Sequence, residues 1–192
     1  MVKQASARAN REIGVLDPER ADLIDRAAQR VIDGEFHDQF TVGVIQGGAG
    51  TSTNMNANEV ITNIALELAG REKGDYAFLS PIDHTNRSQS TNDVYPTAVK
   101  IGLSLTLRSL LEELDLLRIS FLHKSHEFHD VLKVGRTQLQ DAVPMTLGQE
   151  FHGFASTLGY DHTRLTENAS LMFEINTVSY THLRAHETKA NL

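Results

Sequence analysis

Between positions 99 and 128 the apolar residues Val99, Leu103, Leu107, Leu110, Leu114, Leu117, Phe121 and Phe128 follow one another at intervals of 4, 4, 3, 4, 3, 4 and 7. Intervals of three and four set side chains on one face of an α-helix. The pattern therefore predicts one helix over residues 91–132, roughly 60 Å long at about 1.5 Å per residue. A stripe so long and regular belongs to a helical bundle or coiled coil rather than to a small compact fold. A shorter helix is predicted over 18–33, where Asp17 can cap the start, Pro18 takes the first helical position and Gly34 follows the end. Another is predicted over 58–69, where Val60, Ile61, Ile64, Ala65 and Leu68 recur at helical spacing before Gly70. A fourth is expected over 147–175. The fold class read from these signals is all-α, a long-helix bundle.

The polar segments between the predicted helices are long. Residues 41–58 carry no charge and are rich in Gly, Asn, Ser and Thr, while residues 80–92 and 135–145 form two further polar links. Connections of this length inside a helical domain are commonly functional. A solvated linker would normally carry Lys and Glu, and the first of these has neither.

Composition narrows the partners. The 192 residues carry a formal net charge of -7, which argues against a phosphate-tracking surface and hence against nucleic acid. With no cysteine, disulfides and thiolate metal sites are excluded, and a cytoplasmic location is the expectation. No apolar run approaches the roughly 18 residues needed to span a bilayer, and residues 1–10 lack the apolar core of a signal peptide.

Two polar segments end at predicted helix starts. Residues 51–59 read TSTNMNANE and residues 88–93 read SQSTND. Capping explains part of this enrichment, because Ser, Thr and Asn satisfy the free N–H groups of a first turn. One cap needs one such residue, however, and here they come in fours and fives. Neutral donors gathered at helix N-termini, with the positive end of the macrodipole behind them, suit a carboxylate. They also suit negative charge that builds on a carboxylate oxygen during proton abstraction at the neighbouring carbon. From the residues alone the reading stops at a small polycarboxylate ligand. His123, His126 and His129, three apart on the long helix, read as a solvated face rather than a metal site, and no zinc or nucleotide-binding motif occurs.

The same segments carry a family resemblance. QGGAGTSTNMNANEV at 46–60, NRSQSTNDVYPTA at 86–98 and KVGRTQLQDAVPMTLGQEF at 133–151 closely resemble the characteristic blocks of the aspartate ammonia-lyase family within the aspartase/fumarase superfamily. The resemblance runs from about residue 3 to Asn176. It implies a bundle of long helices assembled as a homotetramer, and reversible elimination of ammonia from L-aspartate to give fumarate without metal or organic cofactor. It further implies that Thr51, Ser90, Thr91 and Asn92 bind a substrate carboxylate, joined by Thr137 and Gln138 from the third segment. Thr91 and Gln138 favour this family over class II fumarases, which typically read Ser-Ser-Asn at the first place and His after Gly-Arg-Thr. A class II fumarase and a non-catalytic helical oligomerisation scaffold are the competing readings.

Relative to the family, roughly fifty residues would precede this chain and over two hundred would follow it. The family's general base, a serine on a mobile loop, falls in the later part, so no catalytic residue is assigned here and the chain alone is expected to be inactive. The resemblance divides the chain into a helical N-terminal remainder at 1–40, the first part of the central bundle with its substrate segments at 41–176, and a tail at 177–192. That tail matches no family motif and reads as artefactual, so His182 and His186 carry no functional weight.

Overall fold

The computed structural model describes residues 1–43, 45 and 50–174. Its regular elements are helices apart from one two-stranded hairpin, so the all-α class read from the periodicity holds. The described residues fall into two units, Met1–Lys100 and Ile101–Glu174.

The first unit opens with a helix that periodicity did not announce, α1 (Val2–Glu12). Its buried face is Lys3, Gln4, Ala7 and Asn10, three of them polar, which leaves no apolar stripe to read. Helix α2 (Pro18–Ile32) starts as expected: Asp17 Oδ1 accepts the Arg20 N–H at 3.0 Å and Pro18 stands in the first turn. It buries Ala21, Leu23, Ile24, Ala27 and Ala28. Helix α3 spans Thr51–Leu68, beginning at Thr51 rather than at the expected Asn58. Its first two turns are Ser-, Thr- and Asn-rich, a composition that individually favours caps and turns; buried hydrogen bonds described below hold them helical. The core of this unit joins Ala7 of α1, Leu16, the buried face of α2, Ile61, Ile64, Ala65 and Leu66 of α3, and Leu79.

Between α3 and the next helix the chain makes a π-type turn, Pro81–Thr85. The Ser80 hydroxyl starts it by accepting the N–H groups of Ile82 and Asp83 at 3.3 and 3.1 Å. The buried hydroxyls of Thr62 and Thr85, 2.7 Å apart, tie this turn to α3.

The long predicted helix is α4 (Thr91–Glu127), 37 residues in one run, its first ten in the first unit and the remainder in the second. In the second unit it is followed by β1 (Leu132–Thr137), β2 (Gln140–Thr146) and α5 (Leu147–Ala169). The expected polar loop at 135–145 is therefore a hairpin, with Leu132 opposite Thr146, Thr137 opposite Gln140 and an irregularity between Val134 and Arg136. Its turn residues Gln138 and Leu139 have φ of 49° and 62°. A two-residue turn of that kind normally announces itself with Asn or Gly, and Pro144 inside β2 further hides the strand.

Helix α5 begins with a capping box. Thr146 Oγ1 accepts the Gln149 N–H at 3.1 Å, and the Gln149 side chain accepts the Thr146 N–H at 3.0 Å. It gives way to a 3-10 turn, Ser170–Phe173, rather than running on as one helix towards residue 175. Helices α4 and α5 run antiparallel through a ring cluster: Phe121 lies 5.8 Å from Phe151 and 5.7 Å from Phe154, and Phe128 lies 5.6 Å from Phe151. At the near end Gly148 lets the backbones touch, since a Cβ there would strike the Ser125 carbonyl and the His129 backbone. Among the described residues no helix is long and apolar enough to cross a membrane. The tail assigned to 177–192 lies outside the described residues.

Candidate functional site

The starts of α3 and α4 meet in the first unit. Gly50, the residue before α3, has φ of 78° and lies under the Tyr95 ring; a Cβ on it would be 2.5 Å from that ring. Both the backbone conformation and the space require glycine. One turn into α3, Asn54 reaches across and its Nδ2 donates to Thr91 Oγ1 at 3.1 Å.

Four of the six residues expected to bind carboxylate lie in this unit. Thr51 is the first residue of α3 and is exposed. Ser90 starts α4: its carbonyl accepts the N–H groups of Asp93 and Val94, each at 3.0 Å, and its hydroxyl accepts the Asn92 N–H at 3.3 Å. Thr91 and Asn92 form the first turn and are half-buried. The structure thus joins the first two polar segments through Gly50–Tyr95 and Asn54–Thr91, with two helix N-termini contributing partial positive charge. Thr137 and Gln138 belong to the second unit, where they stand exposed at the tip of the hairpin, Thr137 closing β1 and Gln138 opening the turn.

Behind Thr91 is a set of residues that the sequence reading passed over. Asn86 Oδ1 accepts three donors: Lys3 Nζ at 2.8 Å, Asn58 Nδ2 at 3.1 Å and Asn54 Nδ2 at 3.2 Å. On its other side Asn86 Nδ2 donates to the Gln89 carbonyl at 3.0 Å. Lys3, Asn54 and Asn58 are buried, and burial pushes the Lys3 ammonium down to about 7. A signal for part of this set was present. Asn54 and Asn58 are four apart and share one helix face, but that spacing has meaning only once residues 51–58 are known to be helical.

Among the described residues the histidines offer no base at this place. His84 Nδ1 accepts the Ser80 N–H at 2.8 Å, so that nitrogen carries no proton. Burial, helped by the charge of Arg20, holds the His84 pKa below the ordinary histidine value. His123 and His126 near the end of α4, and His129 just beyond it, are exposed and belong to the second unit. Apart from Lys3 behind it, whose Nζ is spent on Asn86, what the α3–α4 corner holds is hydroxyls and amides, which can bind an oxyanion but do not take up protons near neutral pH.

Comparison with known proteins places the chain in a family. The chain is 59% identical over 177 residues to the aspartate ammonia-lyase of Pseudomonas aeruginosa, covering 92% of this chain and 37% of that protein. It is 50% identical to the aspartate ammonia-lyase of Escherichia coli over the same shares of the two chains. Among solved structures, the fumarate lyase:delta crystallin from Brucella melitensis superposes with a TM-score of 0.83 at 53% identity, covering 92% of this chain and 41% of that one. A class II fumarase from Schistosoma mansoni gives 0.77 at 35% identity, covering 91% and 37%. The chain thus spans under half the length of the relatives it matches. A family model described as Lyase matches residues 1–191. With that match and these identities across nine-tenths of its length, the chain belongs to the lyase family, as its three polar motifs led us to expect.

Proposed function

We propose that this chain is the carboxylate-binding portion of an aspartate ammonia-lyase, a carbon–nitrogen lyase that reversibly eliminates ammonia from L-aspartate to give fumarate. The observation that supports the reading most is the Asn54–Thr91 hydrogen bond, which brings two motifs far apart in sequence into one corner of hydroxyl and amide donors. In the elimination a base removes the proton on the carbon beside a carboxylate. The electron pair moves into that carboxylate as an enediolate and then forms the carbon–carbon double bond as the C–N bond breaks and ammonia leaves. Donors around the carboxylate lower the barrier because they bind the enediolate oxygens more strongly than the ground state. In this reading Thr51, Ser90, Thr91 and Asn92 hold that carboxylate, and Thr137 and Gln138 come to it from another subunit of a cytoplasmic homotetramer. The partner is a small dicarboxylate and not a nucleic acid. We assign no base to this chain, so the 192 residues alone release no ammonia.

The test uses a full-length enzyme carrying this segment, assayed by the ultraviolet absorbance of fumarate. Thr91→Val and Thr137→Ala should each lower kcat/KM by about 10²–10³, the usual loss of one transition-state donor. Unchanged kinetics in both would reduce these residues to helix and turn caps. Hydration of fumarate to malate in place of ammonia addition would move the assignment to a class II fumarase.

A further inference from the structure

Thr91 has a hydroxyl that can either donate or accept, and only as a donor can it serve a carboxylate. What decides between the two lies behind it, in groups whose roles are chemically fixed. The Gln89 backbone carbonyl can only accept, so the Asn86 atom 3.0 Å from it is Nδ2. Asn86 Oδ1 must then face the other way, where it meets Lys3 Nζ, Asn58 Nδ2 and Asn54 Nδ2. An amide oxygen takes up donors only, which turns the amide of Asn54 so that the same Nδ2 also reaches Thr91 Oγ1. Thr91 Oγ1 accepts, and its own hydrogen is left to point elsewhere.

This arrangement has a cost that shows it is imposed. Among the described residues, Oδ1 of Asn54 and Oδ1 of Asn58 are buried without a hydrogen-bond partner, a condition that is unfavourable for any buried acceptor. Both amides nonetheless turn nitrogen-first to Asn86.

We propose that Asn54 and Asn86 are positioning residues that fix the polarity of the Thr91 hydroxyl, holding it as a hydrogen-bond donor to the substrate carboxylate. The inference rests on the carboxylate reading of Thr91 given above and deepens it. Asn54 and Asn86 touch no substrate in this account; they act through Thr91.

The test is a double-mutant cycle in a full-length enzyme carrying this segment, with circular dichroism to follow folding. Asn54→Leu keeps the branched shape of the side chain, at a larger volume, and removes its hydrogen bonds; it should lower kcat/KM for aspartate about tenfold, as a charge-assisted hydrogen bond is weakened rather than lost. In a Thr91→Val background the same change should have almost no further effect, because the group it acts through is gone. Thr91→Ser, which retains the hydroxyl, should keep its sensitivity to Asn54→Leu. Asn86→Ala serves as the second variant, with the same dependence on Thr91. Loss in Asn54→Leu that persists undiminished beside Thr91→Val overturns the inference and leaves the carboxylate reading in place. So does an impaired Thr91→Val with Asn54→Leu and Asn86→Ala as active as the parent. Full activity of Thr91→Val itself instead removes the carboxylate reading. Failure of both Asn54→Leu and Asn86→Ala to fold overturns the positioning role, since the amides would then be scaffold.

Discussion

In Met1–Lys100 the side chains of Ile24, Leu66 and Leu79 are fully enclosed, whereas in Ile101–Glu174 Leu103, Leu105, Leu110 and Leu116 each expose more than half of their surface. The second unit is not poorer in apolar residues. It has fewer elements to set against them. Helix α2 packs on both α1 and α3, so its apolar residues find cover from two neighbours. Beyond Lys100, α4 meets α5 along the row of Phe121, Phe128, Phe151 and Phe154 and keeps further leucines on other faces. A helix that is apolar on several faces is a helix of a bundle interior. The comparison teaches that an apolar stripe predicts a helix, but the number of neighbours decides whether the stripe becomes a core.

The largest effect expected from this difference is association. At micromolar concentration the purified chain should sediment as oligomers or aggregates, because exposed apolar area of this kind drives contact. Leu105→Gln together with Leu116→Gln should raise the monomer fraction without altering the unfolding of Met1–Lys100. A stable monomer of the unmodified chain would break the comparison.

Stability should follow burial in the same way. Leu66→Ala, at a fully enclosed site, should cost about 2–5 kcal/mol in denaturant unfolding. Leu110→Ala, half-exposed on α4, should cost under about 1 kcal/mol. Equal losses at the two positions would mean that the second unit is covered in solution.

Two glycines give opposite signs. Gly50→Ala meets both a positive φ and the Tyr95 ring, and should cost about 2–4 kcal/mol. Gly102 lies inside α4 with open space where a Cβ would go, so Gly102→Ala should stabilise by about 0.5–1 kcal/mol. A neutral Gly50→Ala would show that the corner before Thr51 can relax.

A different kind of effect is a pH slope in the first unit. The folded-state pKa of Lys3 is lowered from 10.5 to about 7 by burial. Between those values the unfolded chain binds more protons than the folded one, so this residue's contribution to stability rises with pH, by at most about 1.4 kcal/mol per pH unit. Below about pH 7 both states hold the proton and the slope vanishes. Lys3→Met should flatten the curve of stability against pH over this window; an unchanged slope would place the lysine at the surface.

The sequence by itself determined the elements whose signals are local. Helix α4 followed from eight apolar residues at helical spacing, α2 from Asp17 and Pro18 at its start, and the family from three polar blocks, because periodicity, caps and motifs need no information from elsewhere in the chain. Only the tertiary structure decided where the remaining residues went. Thr51–Asn58 is helical because Asn54 and Asn58 find Asn86 and Thr91 some thirty residues away, which outweighs the weak helix preference of Asn, Ser and Thr. Helix α1 was illegible because the face it buries carries Lys3, Gln4 and Asn10, polar groups that can be buried only against partners the local sequence does not name. The hairpin at Leu132–Thr146 was hidden for the related reason that strand pairing is a contact between segments, and its turn uses Gln138 and Leu139 where the local rule would ask for Asn and Gly. For Thr91 the motif named the residue. The direction of its hydroxyl hydrogen is a property of the hydrogen-bond chain behind it, and that chain exists only in the folded molecule.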